Sequence, residues 1–235
     1  MNNEQLREKL LYAPKNGYDR LTEQERQEMN DYCKNYMAFM DAAKTEREAV
    51  QFSMRAAEAA GFRSLDSFQE LKPGDRVYYN NRNKSILFAV IGEKLLSEGA
   101  NIVASHIDSP RLDVKPNPLY EDSGIAYFKT HYYGGIKKYQ WTTIPLAIHG
   151  VVCKKNGEVV TVTIGEEETD PVVYISDLLI HLSGDQMKKT LAEGIAGEQL
   201  NVILGTEPIA DEEGADRVKL AVMCLLNEKY DLIEE

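Results

Sequence analysis

A nearly continuous apolar run, Ser85–Ile91, is the feature that most restricts what this chain can fold into. A short, uninterrupted run of branched and aromatic side chains is typical of a strand that is buried on both faces of a sheet. The run Arg76–Tyr79 comes before it, and the polar residues 80–83 between the two predict a turn. Residues 101–105 predict another short buried strand. The chain is therefore expected to contain a buried sheet.

Residues 1–62 follow a helical pattern instead. Thr22 with Glu25 and Thr45 with Glu48 have the spacing of capping boxes, which begin helices. Helices followed by buried strands predict an α/β fold with a mixed sheet. Between the two boxes, apolar residues that recur every three or four positions predict one helix face that packs in the core: Met29, Tyr32, Cys33, Tyr36, Met37, Phe39 and Met40.

The amino-acid composition of the sequence changes near residue 115. Residues 115–141 combine many aromatic side chains with proline and glycine, which favour turns. Exposed aromatic side chains in a β-rich segment favour an interface between subunits. We therefore expect a boundary near residue 115, between an α/β part, 1–114, and a β-rich part, 115–235.

The β-rich part contains a strong hairpin signal. Residues 144–153 and 158–164 flank Lys155–Gly157, which ends in the Asn-Gly pair that two-residue hairpin turns prefer. Residues 200–204 predict a further strand, and residues 214–230 predict a helix with one apolar face.

The charge of the chain excludes some classes of partner. The formal net charge is −11. A nucleic-acid-binding protein needs a basic stripe to neutralise phosphates, so neither nucleic acid nor an anionic membrane surface is expected as a partner. No stretch approaches the length of a membrane span, and the N-terminus lacks the apolar run of a secretory signal peptide.

The cysteines point to a reducing compartment. Cys33, Cys153 and Cys224 are far apart in the sequence and form no CxxC pair. Neither a disulfide framework nor a cysteine-type zinc site is indicated. We interpret them as buried or idle thiols and expect a cytoplasmic protein.

His106 and Asp108 come directly after the predicted strand 101–105. On an extended backbone, side chains two residues apart point to the same side. An imidazole is a good nitrogen ligand for zinc, and a carboxylate beside it can orient the ring. Open α/β sheets also bind ligands beyond the carboxyl ends of their strands. His-x-Asp is nonetheless a frequent pattern, and a lone histidine is more often an ordinary surface or core residue, so both interpretations stay open at this point.

The longer stretch around this pair resembles a known family. Ala104–Pro116 resembles the first zinc-ligand segment of the aspartyl aminopeptidase and vacuolar aminopeptidase I family, which are dinuclear-zinc exopeptidases. The resemblance continues through Phe128–Ile136, with its Tyr-Gly-Gly sequence, and through Ile180–Leu182 and Asn201–Gly205. It covers most of the chain beyond about residue 70 and is typical of the bacterial, clostridial-type members.

The resemblance implies roles for particular residues. His106 is expected to be a zinc ligand, and Asp108 to be the catalytic-site acid that tunes the metal and its ligands. His181 matches a histidine that reaches the active site of a neighbouring subunit and helps to hold the substrate, and that is sometimes counted among the metal ligands. The implied fold is a zinc-exopeptidase α/β/α domain with an inserted β-rich dimerisation domain, and the implied assembly is a dodecamer built from dimers.

The implied reaction is the removal of neutral or acidic N-terminal residues from peptides. The complete enzyme would hold two zinc ions, with cobalt or manganese as alternatives. The family's other ligands and its base belong to a C-terminal half that this chain lacks, so we expect an N-terminal portion that is inactive alone. Residues 1–114 would be part of the catalytic domain, and residues 115–235 an incomplete dimerisation or lid domain. The alternative is a non-catalytic assembly module.

The sequence says less about the roles of two further histidines. His131 lies in the aromatic segment and is consistent with the wall of a substrate cavity or with a subunit contact. His149 lies within an apolar strand and is interpreted as a structural residue.

Overall fold

The computed structural model of the chain describes residues 2–234. They form two compact units, of which one ends at Ser105 and the other begins at His106. The strand Arg111–Asp122 runs through residue 115. The change in amino-acid composition near residue 115 therefore lies inside the second unit. The assignment of the two parts as catalytic and dimerisation domains stays a prediction.

The first unit begins with helices, two of which start where the capping boxes predict. It contains α1 (Asn3–Leu10), α2 (Glu23–Ala42) and α3 (Glu46–Ala59). At the start of α2, the backbone N–H of Glu25 donates to Thr22 Oγ1 at 3.2 Å, and the N–H of Thr22 donates to Glu25 Oε2 at 2.8 Å. Thr45 and Glu48 form the same pair of bonds at the start of α3. None of the described helices is both long enough and apolar enough to cross a membrane.

A mixed sheet follows the helices, as predicted. It contains β1 (Arg63–Ser64), β2 (Arg76–Asn81) and β3 (Ser85–Val90), in that order. β1 is parallel to β2, and β2 is antiparallel to β3. Buried side chains of α3 and β2 form the core of this unit: Ala49, Val50, Val77 and Tyr78.

Three burial predictions for the first unit are wrong. The side chains of Leu87, Phe88 and Val90 on β3 are exposed, although the sequence pattern predicts a strand buried on both faces. Residues 101–105 form no strand, and Val103 is 99% exposed. The apolar face of α2 lies open to solvent at Tyr32, Tyr36, Met37 and Met40. The apolar pattern of a helix or strand identifies the face that can be buried. In the described part of the chain, no other helix or sheet packs on these faces.

Of the two interpretations of the cysteines, buried or idle thiols, the described structure supports idle thiols. All three cysteines named above are free thiols with exposed side chains. Small thiols are frequently buried as weak hydrophobes, but these positions lie on faces that the described residues leave open.

The second unit is built on a three-stranded antiparallel sheet. Its strands are β4 (Arg111–Asp122), β5 (Ile125–Tyr133) and, after a separate hairpin of β6 (Ile148–Cys153) and β7 (Val159–Ile164), β8 (Val202–Gly205). β5 lies between β4 and β8 and is antiparallel to both. The predicted hairpin, strand and helix are confirmed, the last as α4 (Arg217–Tyr230).

β4 and β5 have no clear signal in the sequence. Pro116 and Pro118 interrupt the strand pattern of β4, because proline donates no ladder hydrogen bond. The structure absorbs them in a break of register between Val114 and Leu119, after which the pairing with β5 resumes.

The core of the second unit links the sheet to the segments that follow it. Leu200 and Ile175 are almost completely buried and pack in one cluster with Val173, Ile195 and Val202. A second cluster packs one face of α4 against β4 and β5 through four buried side chains: Leu119, Ala126, Val218 and Val222. Leu225, which the sequence pattern places on the same helix face, is exposed.

A glutamate from β4 supplies the N-terminal cap of α4. The backbone N–H groups of Val218 and Lys219 donate to Glu121 Oε2 at 2.8 and 2.9 Å. These groups have no partner inside the helix, and a carboxylate at this position also interacts favourably with the helix dipole. The cap therefore ties the start of α4 to the sheet.

The other end of α4 is fastened beside the hairpin. Lys229 Nζ donates to Asp170 Oδ1 at 2.9 Å, and the N–H of Gly165 donates to Asp170 Oδ2 at 2.8 Å. These bonds, that from Lys229 first, lower the pKa of Asp170 to about 2. The hydroxyl of Tyr230 donates to the carbonyl of Thr163 on β7 at 2.5 Å.

Replacing Asp170 should therefore destabilise the chain in a way that depends on pH. A lowered pKa stabilises the fold fully above the ordinary carboxyl value of about 4, and this contribution is lost as the pH falls toward the native value. The melting temperature of Asp170→Asn should lie below that of the unchanged chain near neutral pH, and the difference should shrink as the pH falls below about 4. Circular dichroism melts over this pH range measure it.

Asp185→Asn is the matched control, because the Asp185 side chain is 95% exposed and the partner described for it is Lys188, three positions along the chain. Its melting temperature should differ little from that of the unchanged chain at any pH. A deficit of Asp170→Asn that is constant with pH would contradict the assignment.

Candidate metal centre

His106 and Asp108 lie side by side just before β4. His106 Nδ1 is 3.0 Å from Asp108 Oδ1, and the His106 side chain is 85% exposed. A carboxylate only accepts hydrogen bonds, so Nδ1 carries the proton in this pair. The other ring nitrogen, Nε2, then has the lone pair that can bind a metal.

The structure holds this pair differently from the sequence prediction. The sequence predicts the pair at the end of a strand formed by residues 101–105, but those residues are not a strand. Instead, Asp108 is held from β5, because the hydroxyl of Tyr133 donates to Asp108 Oδ2 at 2.6 Å. This bond, followed by that from His106, lowers the pKa of Asp108.

Tyr133 is itself fixed by its neighbours on the sheet. It lies directly opposite Arg111 in the pairing of β4 with β5. The guanidinium of Arg111 lies 4.2 Å from the centre of the Tyr133 ring, and Arg111 Nε donates to Asp113 Oδ1 at 2.7 Å. A cation over an aromatic face is attracted to the ring. The Tyr-Gly-Gly segment is visible in the sequence, but nothing local to it indicates this role of its tyrosine.

Gly134 allows the chain to leave β5 close to the start of β4. Its φ is 75°, in the left-handed region that favours glycine. A Cβ atom at this position would lie 3.5 Å from the Cα of Pro110. The end of β5 and the segment that carries Asp108 therefore pack together through a residue without a side chain.

His181 is exposed in a turn of the second unit. No hydrogen bond or ion pair described for this chain joins it to His106 or Asp108. Its assignment as a metal ligand or catalytic residue stays a prediction.

The two other histidines make contacts of their own. The His131 ring stacks on that of Tyr132, with centres 5.4 Å apart. His149 Nε2 lies 2.8 Å from Glu166 Oε1, a contact that fits the structural role expected for it.

The described residues fit zinc only in part. His106 can offer one nitrogen, and Asp108 is engaged in orienting that ring and in accepting from Tyr133. Zinc sites usually need three or four protein ligands. Within residues 2–234, no group of three or more histidine, cysteine or acidic side chains could hold a metal ion. The described residues therefore offer one oriented imidazole nitrogen and no complete zinc site.

Comparison with known proteins decides the family. The family model described as aminopeptidase I zinc metalloprotease (M18) matches residues 39–235. The chain belongs to this family. It is 46% identical over 230 residues to the probable M18 family aminopeptidase 1 of Clostridium acetobutylicum, a match that covers 96% of this chain and 50% of the relative.

Solved M18 structures share the fold. The chain resembles the crystal structure of the M18 aminopeptidase from Thermotoga maritima with a TM-score of 0.86 and 43% identity, over 94% of this chain and 48% of that one. The S. cerevisiae mApe1 dodecamer has the same fold, with a TM-score of 0.62 at 18% identity, over 88% of this chain and 46% of that one. The chain thus spans about half the length of the M18 relatives it matches.

Gly134→Ala should destabilise the chain by about 1–2 kcal/mol, because an alanine in the left-handed region brings its Cβ close to the backbone. Urea unfolding measures the change. The adjacent Gly135 offers a matched control, since a Cβ there would meet nothing within 4 Å. Gly135→Ala should change the free energy of unfolding by no more than about 0.5 kcal/mol. Equal losses in the two variants would contradict the role of Gly134.

Proposed function

We propose that the protein to which this chain belongs is a zinc aminopeptidase that removes neutral or acidic residues from the N-termini of peptides. The observation that carries the proposal is the orientation of His106, whose Nδ1 faces Asp108 and whose ring is exposed to its surroundings. A metal-binding histidine typically has this arrangement, with its second nitrogen donating to a carboxylate. Membership of the M18 family supports the same conclusion.

The residues of this chain would prepare one ligand of the metal centre. Asp108 keeps the proton of His106 on Nδ1 and thereby leaves Nε2 as the metal-binding atom. The negative charge of Asp108 behind the ring would also favour the binding of a cation at Nε2. In the complete enzyme, two zinc ions, or cobalt or manganese in their place, would polarise the scissile carbonyl and lower the pKa of a bound water. The remaining ligands would come from outside the described residues.

His106→Ala should abolish peptide hydrolysis and lower the zinc content. Suitable material is a hybrid of residues 1–235 with the half of the C. acetobutylicum relative that the match does not cover. Loss of a direct ligand should lower zinc affinity and activity by more than the roughly 10–100-fold that is typical of residues that hydrogen-bond to the ligands. Hydrolysis of leucine and glutamate p-nitroanilides and atomic absorption for zinc measure the two effects.

His149→Ala is the control for this experiment, because it removes a histidine whose described partner is Glu166 and not Asp108. It should leave zinc content unchanged. Full activity and unchanged zinc in His106→Ala would contradict the proposed function, whatever the control shows.

We also propose that copies of this chain associate, since the yeast relative of the same fold is described as a dodecamer. An exposed apolar stretch supports this, because contiguous apolar surface commonly marks a protein contact: Leu178, Leu179, Ile180 and Leu182. Association without catalysis is also what the second candidate, an assembly module, requires. The described residues contain one oriented imidazole and no cluster of three or more side chains that could hold a metal ion. For the chain by itself, this favours the assembly module over the peptidase.

The chain should therefore be a dimer or larger in solution, and Leu179→Asp should shift it toward the monomer. A carboxylate at a contact between copies would be desolvated without a partner. Size-exclusion chromatography with light scattering measures the mass. Leu96→Asp is the control, since Leu96 is also well exposed but lies in the first unit. A well-folded chain that is strictly monomeric would overturn the proposal.

The exposed free thiols of Cys33, Cys153 and Cys224 support residence in the cytoplasm. Reduced cysteines are typical of that compartment.

A further inference from the structure

A short relay of hydrogen bonds joins β5 to the candidate ligand. Tyr133 Oη donates to Asp108 Oδ2 at 2.6 Å, and Asp108 Oδ1 lies 3.0 Å from His106 Nδ1. The two oxygens of one carboxylate are thus used by two different residues. The rotation of the Asp108 carboxylate, and with it the direction of the His106 ring, depends on where the Tyr133 hydroxyl lies.

We propose that Tyr133 is a positioning residue for the metal ligand: its hydroxyl holds Asp108 in the orientation that keeps the His106 proton on Nδ1 and directs Nε2 to the metal. The inference rests on the proposed function, because it concerns the same histidine. Tyr133 would not touch the metal or the substrate. It would act only through Asp108.

The pair needs such support because it lies before β4, outside the ladder. His106 is 85% exposed, and its bond to Asp108 joins residues only two positions apart in the chain. An exposed bond between mobile side chains contributes little, because water competes for both groups. A ligand keeps a defined direction only when the groups behind it are themselves fixed.

Tyr133 is fixed in the way that this role requires. It is the last residue of β5 and is paired with Arg111 in the ladder. Arg111 covers the face of the Tyr133 ring at 4.2 Å and is anchored by Asp113. The close approach of Gly134 to Pro110 brings the segment of Asp108 alongside. The sheet therefore fixes the Tyr133 hydroxyl, which holds Asp108, and Asp108 in turn orients the His106 ring.

Tyr133→Phe tests this role with the smallest change, because phenylalanine keeps the ring beneath Arg111 and removes only the hydroxyl. Tyr132→Phe is a matched control. Successive side chains of a strand point to opposite faces, and the Tyr132 ring packs against Gly197, where an added Cβ would lie 2.8 Å from it. Both variants lose one hydroxyl from neighbouring positions of the same strand.

The first measurement is ¹⁵N NMR of the His106 ring in the metal-free chain, at a pH about two units above the ordinary histidine pKa of about 6.5. The unchanged chain and Tyr132→Phe should show the proton mainly on Nδ1. Tyr133→Phe should show a mixture of the two tautomers. The same tautomer distribution in all three proteins would overturn the inference, and so would an equal change in Tyr132→Phe.

The second measurement is the zinc dissociation constant of the hybrid protein, by competition with a chelator. Tyr133→Phe should weaken zinc binding by about tenfold, the lower end of the range for residues behind the ligands, and Tyr132→Phe should not change it. An unchanged dissociation constant in Tyr133→Phe would overturn the inference. The tautomer measurement needs no metal, so it tests Tyr133 separately from the proposed function, which fails instead if His106→Ala retains zinc and activity.

Discussion

The antiparallel pairing of β4 with β5 is the constraint on which the candidate site depends. Its register places Arg111 opposite Tyr133, so the chain that enters β4 and the chain that leaves β5 lie side by side. The segment that leads into β4 carries His106 and Asp108, and β5 ends in Tyr133, the residue whose hydroxyl holds Asp108. A slip of one residue would turn Tyr133 to the other face of the sheet and remove the contact. The backbone ladder therefore determines the geometry of the side chains.

The rest of the second unit keeps this ladder in place. β8 pairs with the other edge of β5, and the hydroxyl of Thr130 on β5 donates to the carbonyl of Leu200 just before β8. Glu121 on β4 caps α4, whose apolar face covers both strands. Buried apolar area and paired backbone groups thus lie behind the site. The His106 side chain itself stays exposed, as the proposed binding of a metal requires.

Exposed apolar surface is the other main property of the chain. It occurs on α2, on β3 and in the segments 101–105 and 178–182. The sequence pattern of the first three of these predicts burial, because apolar side chains are the ones most often found in protein interiors. It does not state what covers them. The chain spans about half the length of its M18 relatives, and these faces are where the described residues provide no cover.

Local features of the fold were determined by the sequence alone. The capping boxes of α2 and α3 and the turn at Asn156 and Gly157 are formed by residues three or four positions apart, so their spacing contains the geometry. The pairing of His106 with Asp108 was predictable for the same reason. Tertiary structure alone decided which apolar faces are buried and that Tyr133 meets Asp108, 25 residues away. Such contacts depend on the register of distant strands, which local propensity does not specify.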